Sequence, residues 1–177
     1  MYKEFLKNDF IKRIYRPETR DLQKGLRCDK NERVELWNKD FFYDLLSEIK
    51  PIDLATYPDL TSLYFDIAKF EEINSDQILI SSGLDGCIKS IFECFSQKGM
   101  KIGLPGPTYG MYYVYSECFQ TEIVNIEYSL KEFKINFDSL IKTIDNVNLL
   151  FIPNPNAPTE DNLNIKQLEL IIKKCYE

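Results

Sequence analysis

The sequence predicts an α/β fold, a three-layer sandwich with helices on both sides of a mostly parallel central sheet. Three observations carry this expectation. Short apolar runs that read as strands alternate along the chain with amphipathic runs that read as helices, the pattern that builds a doubly wound sheet. One strand-like run, residues 148–152, is continuously apolar at Leu149, Leu150, Phe151 and Ile152, as expected of a strand covered on both faces. Six of the seven glycines lie between Gly83 and Gly110, so backbone freedom is concentrated at the ends of two predicted strands, where such sheets bind ligands.

The elements follow in order. Residues 1–40 are charged and mixed, without a long periodic run, and read as an N-terminal arm; its segment Leu26-Arg27-Cys28-Asp29-Lys30-Asn31-Glu32 reads as a solvated turn on composition. The spacing from Phe41 to Ile49 predicts a helix that Lys50-Pro51 ends. Thr56-Tyr57-Pro58-Asp59 predicts a turn, with Asp59 capping a helix whose buried face is Leu60, Leu63, Tyr64, Ile67 and Phe70.

Gln77-Ile78-Leu79-Ile80 reads as a strand, and Ser81-Ser82-Gly83-Leu84-Asp85-Gly86 joins it to a helix with apolar residues at Leu84, Cys87, Ile88, Ile91, Phe92 and Phe95. A strand from Lys101 to Leu104 runs into Pro105-Gly106-Pro107-Thr108-Tyr109-Gly110. A helix from Tyr109 to Phe119 and a strand from Thr121 to Glu127 follow. Asn136 then caps a short helix with Phe137, Leu140, Ile141 and Ile144 on one face. After the apolar strand, residues 153–159 hold too much proline for a regular element, and an amphipathic helix capped at Asn162 or Asn164 ends the sequence.

Composition narrows the function. A chain of 177 residues, 44% hydrophobic and 14% aromatic, is long enough for one ordinary core. Its net charge of -6 lacks the basic face that nucleic acid or an anionic membrane requires, which favours small-molecule partners. There is no histidine, which removes Ser-His-Asp and Cys-His catalysis within these residues, and the five dispersed cysteines form no metal-binding pattern and read as buried thiols. The opening residues lack an apolar signal core, and no later apolar run approaches the ~20 residues of a membrane span, so the cytoplasm is the expected compartment.

The stretch that organises the rest is the turn at residues 81–86. A helix that starts there has first-turn N–H groups without intrahelical acceptors, and its dipole adds partial positive charge. Gly83, with no Cβ, lets the backbone approach an anion closely. Capping alone also explains Ser, Gly and Asp at such a turn, so the downstream loops decide. Three loops follow three predicted strands at one sheet edge: Ser82-Gly83-Leu84-Asp85, Pro107-Thr108-Tyr109-Gly110-Met111-Tyr112 and Asn154-Pro155-Asn156-Ala157-Pro158-Thr159.

With Asn31-Glu32 and Tyr57-Pro58-Asp59 upstream, this series resembles the class I/II aminotransferases of fold type I, which use pyridoxal phosphate, and is most similar to the histidinol-phosphate aminotransferase branch. The resemblance covers about residues 26–177. It implies that Gly83, Leu84 and Asp85 hold the cofactor phosphate, Asp85 through its backbone N–H because a carboxylate repels phosphate. It implies that the ring of Tyr109 stacks on the pyridine ring. It also implies that Tyr57 reaches the phosphate bound by a neighbouring subunit, hence a homodimer. The implied activity is transfer of an amino group between an amino acid or amino-phosphate and a keto acid.

The sequence departs from the family pattern at three places. Ala157 stands where the family has the Asn that donates to the cofactor's phenolic oxygen, leaving Asn156 as the candidate donor; Glu160 replaces a Gly, and Gly86 replaces a Glu. The lysine that attaches the cofactor lies, in the family, well beyond the Pro-Thr loop, and Lys166, Lys173 and Lys174 match no family motif. No catalytic residue is therefore assigned within these 177 residues. The expectation is that residues 41–177 are part of a cofactor-binding large domain whose remainder and small domain are missing, or alternatively a non-catalytic domain that binds a phosphate compound or a partner chain.

Overall fold

The structure, a computed structural model, describes residues 38–129 and 131–176. They fall into two compact units, divided between Ile78 and Leu79. Most of the predicted arm, with Cys28, Asn31 and Glu32, lies outside the described residues.

The unit up to Ile78 is helical. Helix α1 (Lys39–Glu48) is capped by Asn38, whose side chain accepts from the Asp40 N–H at 2.9 Å. Pro51 ends nothing further: it occupies the first position of a short helix α2 (Pro51–Ala55), where its missing N–H costs no hydrogen bond. Leu60 rather than Asp59 occupies the cap position of α3 (Thr61–Glu71), and Asp59, one residue earlier, accepts from the Thr61 N–H and hydroxyl. The expected buried face of α3 is only partly realised. Ala68 is its one buried residue, and Phe70 is 83% exposed. Helical spacing selects a face but does not supply a surface to cover it.

The run expected to be a strand at residues 77–80 forms none. A 3-10 turn occupies Ser75–Gln77, and residues 78–80 join no ladder of the sheet. Membership of a ladder depends on register with a neighbouring strand, which an apolar run does not specify.

The unit from Leu79 onward contains the sheet. Helix α4 (Gly83–Phe95) leads into β1 (Lys101–Gly106), α5 (Met111–Cys118) and β2 (Glu122–Ser129). The short strand β3 (Lys134–Ile135), helix α6 (Phe137–Ile144), strand β4 (Leu149–Leu150) and helix α7 (Ile165–Tyr176) complete it. β1 pairs in parallel with β2 and with β4, and β3 is an antiparallel edge on β2.

Alternation along the strands sorts the core into two layers. Ile102 and Leu104 pack with Ile88 and Phe92 of α4, Tyr112 of α5 and Phe151 on one face. Ile126, Leu150 and Ile152 pack with Leu140 of α6 and Ile171 of α7 on the other. Successive strand residues point to opposite faces, so a sheet with apolar residues at adjacent positions requires helices on both sides. The expected three-layer sandwich is present.

Local chemistry sets the element ends. Asn136 caps α6, accepting from the Ser139 N–H at 3.0 Å. Asn164, rather than Asn162, caps α7: its side chain accepts from the Gln167 N–H, and the Gln167 side chain accepts from the Asn164 N–H, both at 3.0 Å. The expected strand at 148–152 pairs only at Leu149 and Leu150. The Phe151 N–H reaches the carbonyl of Gly103, and the next β1 residue facing β4 is Pro105, which has no N–H to continue the ladder. The chain beyond is thereby released into the 153–160 loop. Among the cysteines expected to be buried, Cys94, Cys118 and Cys175 are exposed and Cys87 is half-buried. A thiol tolerates either environment, so composition alone does not bury it.

Candidate functional site

At the head of α4, Gly83 takes φ +71, a left-handed conformation that other residues adopt only with strain. A Cβ built there meets nothing within 4 Å, so the turn is open on that side. The Gly83 N–H donates to the Ser81 carbonyl at 2.7 Å. That leaves Leu84 and Asp85 as the first-turn N–H groups lying ahead of the intrahelical ladder. Leu84 is 60% exposed, and its side chain turns away from the core despite its place in the apolar stripe.

Gly86 is a glycine for a local reason. A Cβ at that position would lie 2.7 Å from the Ser81 hydroxyl. That hydroxyl donates to the Gly83 carbonyl at 2.9 Å and lies 3.1 Å from the Cys87 sulfur. The Ser81 side chain thus folds over the start of the helix and fixes the turn from behind.

Tyr109 sits before α5 rather than within it, 41% exposed. Its hydroxyl donates to Oδ1 of Asp85 at 2.6 Å. The loop after β1 and the turn at the head of α4 are therefore joined by two of the residues singled out in the sequence. The Tyr109 and Tyr112 rings meet in a T-shape, with centroids 6.4 Å apart and nearly perpendicular planes. Burial pushes the Tyr112 hydroxyl above its usual range, and Tyr113 shifts in the same direction for the same reason.

Asn156 is 1% exposed, and its side chain is committed within the chain. Its amide nitrogen donates to the Pro107 carbonyl at 2.9 Å and to the Thr159 hydroxyl at 3.1 Å, while its oxygen accepts from the Thr108 hydroxyl at 2.5 Å. Both amide hydrogens are engaged, so this carboxamide has none left for a ligand. Ala157 beside it is exposed and carries no donor on its side chain.

Tyr57 is fully exposed, at 100%, in the helical unit. The structure thus brings Asp85, Tyr109 and Asn156 into one connected set of loops, with Gly83 and Leu84 at its helix end. The sequence did not point to Pro107, Thr108 and Thr159 as the groups that tie Asn156 in. Their pairing spans 48 positions between Thr108 and Asn156, and no spacing rule within one sequence reports it.

This arrangement can hold an anion on the first turn of α4 and present an aromatic face beside it. An open left-handed glycine, two N–H groups at a positive dipole end and a half-exposed ring fit a phosphate monoester carried on a flat heteroaromatic ring.

Known proteins resemble this chain in sequence and in fold. The family model for aminotransferase class I and II matches residues 47–177. Histidinol-phosphate aminotransferase from Brachyspira hyodysenteriae is 38% identical over 122 residues, which are 68% of this chain and 33% of that protein. The same-named protein of Thermoanaerobacter sp. is 28% identical over 176 residues, covering 97% of this chain and 50% of its own length. Among solved structures, histidinol-phosphate aminotransferase from Sinorhizobium meliloti in complex with pyridoxal-5'-phosphate superposes with a TM-score of 0.65 at 16% identity, over 70% of this chain and 34% of that one. Cystalysin from Treponema denticola, which contains a pyridoxal 5'-phosphate cofactor, gives 0.65 at 18% identity, over 77% and 36%. The chain spans 33% of the length of the first curated relatives it matches.

Proposed function

The chain belongs to the class I and II aminotransferase family, and on that premise we propose that it forms the cofactor-phosphate end of a pyridoxal-phosphate-dependent aminotransferase. The observation that carries this is the hydrogen bond that sets the exposed ring of Tyr109 beside the open first turn of α4. Pyridoxal phosphate, when bound, supplies an electron-withdrawing ring that carries the amino group between donor and acceptor.

The residues of this chain bind and orient. The Leu84 and Asp85 N–H groups hold the phosphate, aided by the helix dipole, and Gly83 keeps the approach clear. The Asp85 carboxylate, turned to the Tyr109 hydroxyl, stays engaged with a donor instead of facing the phosphate. Tyr109 covers one face of the ring and excludes water from it. Residues 41–177 are read as part of the cofactor-binding large domain.

The substrates of the whole protein are an amino-phosphate or amino acid and a keto acid, with histidinol phosphate the leading donor by similarity to the relatives. A homodimer is supported by two features of the helical unit. Tyr57 is fully exposed, as suits a side chain whose partner is on another subunit, and a largely apolar groove along α1 is lined by Lys39, Phe42, Tyr43, Leu45, Leu46 and the following Ile49. Among the described residues no helix is long and apolar enough to cross a membrane; the proposed compartment is the cytoplasm.

The test is an amino-transfer assay on the natural full-length protein loaded with pyridoxal phosphate. Histidinol phosphate and a panel of amino acids are offered with a keto acid. Formation of the new amino acid supports the proposal, and absence of transfer from every donor overturns it.

A further inference from the structure

Asn156 stands next to the position where the family pattern has a cofactor donor, yet its environment is that of a structural group. It is 1% exposed, and its three hydrogen bonds all end on loop residues of this chain. Two of the three go to Pro107 and Thr108, the residues directly before Tyr109. The third reaches Thr159, whose hydroxyl also donates to the Asn156 carbonyl at 3.2 Å. The backbone of Asn156 is fixed as well, by its N–H to the Asp161 carbonyl at 2.9 Å.

A single buried carboxamide therefore joins the loop after β4 to the loop after β1. Tyr109, one residue beyond Thr108, is held at its other end by Asp85. Its ring lies between two anchors, one on each neighbouring loop.

We propose that Asn156 is a positioning residue, a clasp that seats the Tyr109 ring beside the α4 turn, and not a donor to the cofactor. This rests on the reading of Tyr109 as the stacking residue, but the seating itself is a property of the chain without cofactor. Loss of the clasp frees Pro107 and Thr108 to shift, and the Tyr109 hydroxyl then leaves Asp85. A buried carboxamide with three partners is costly to leave half-satisfied, which explains why both donors remain committed.

The test uses the natural full-length protein with tyrosine labelled at the ring carbon bearing the hydroxyl, that signal being assigned by its disappearance in Tyr109→Phe. Two variants cut the clasp: Asn156→Asp removes the amide donors but keeps the volume, and Thr108→Val removes one hydroxyl, so that folding is preserved in at least one. The expected result is that in both variants the Tyr109 resonance moves to the position it takes in Asp85→Ala, which removes the acceptor, without cofactor present. An unchanged resonance in folded variants overturns the proposal, whatever the cofactor does.

Titration with pyridoxal phosphate separates this inference from the proposed function. If wild type binds, each variant should weaken binding by roughly threefold to tenfold, and the loss should vanish in a Tyr109→Ala background because the clasp acts through that ring. A loss that persists in that background marks Asn156 as a direct ligand and overturns the clasp. If wild type does not bind, the proposed cofactor site fails, and the resonance shift alone decides the clasp.

Discussion

The Tyr109 hydroxyl donates a 2.6 Å hydrogen bond to Asp85 across 24 positions of sequence. This bond joins the loop that offers an aromatic face to the helix turn that offers N–H donors. It gives Asp85 a role that charge alone would not suggest, since an acidic side chain beside a phosphate is unfavourable unless it is turned away and paired.

Removal of the ring and removal of the hydroxyl are therefore separable. Tyr109→Phe keeps the stacking face but loses the anchor to Asp85, and its affinity for pyridoxal phosphate should fall by less than about tenfold. Tyr109→Ala loses the face itself, about 1 to 3 kcal/mol by analogy with other aromatic platforms. Titration of both variants checks the order; Ala equal to wild type would remove Tyr109 from the site.

Gly83→Ala should weaken phosphate binding while leaving the sheet intact. The substitution meets no steric contact, but at φ +71 it carries strain of about 1 to 2 kcal/mol, which relaxes by reshaping the turn. Thermal unfolding and inorganic-phosphate binding, measured together, check this. Unaltered phosphate affinity would show that the anion does not sit on this turn.

The core layer under α4 rests on Phe92. It is fully buried and stacked on Phe151 and Phe119 at centroid distances of 5.2 and 5.9 Å. Phe92→Ala should cost about 3 to 5 kcal/mol in denaturant unfolding. A loss under 1 kcal/mol would mean that this layer is not packed as described.

Alkaline pH should destabilise the fold through Tyr112. Burial raises its folded-state pKa above the ordinary 10.0, so the unfolded chain gives up the proton first as pH rises. The contribution is intact below pH 10.0 and is lost as pH rises through the folded-state value. Stability measured from pH 8 to 11 should fall less steeply in Tyr112→Phe than in wild type. Some dependence should survive, because Tyr113 is shifted the same way.

Much of this was legible in the sequence because it is local. The caps at Asn136 and Asn164 and the helix after Gly83 follow from spacing and from short-range hydrogen bonding. What failed depends on neighbours. Residues 77–80 have strand composition but join no ladder among the described residues, and Phe70 has the helical phase of a core residue but is 83% exposed. The strand at 148–152 was cut short by Pro105 on a different strand. In the site, the residue types and their order were readable, whereas the clasp from Asn156 to Pro107 and Thr108 exists only once the two loops meet.

The proposed site is one seat for a phosphorylated flat ring, formed by the first turn of α4 and the ring of Tyr109. The most direct measurement compares equilibrium binding of pyridoxal phosphate and of pyridoxal, its dephosphorylated form, to wild type and Tyr109→Ala. Pyridoxal phosphate should bind more tightly than pyridoxal to wild type, both should be weakened in Tyr109→Ala, and the preference for the phosphate should persist there. Equal binding of the two compounds to wild type would contradict it.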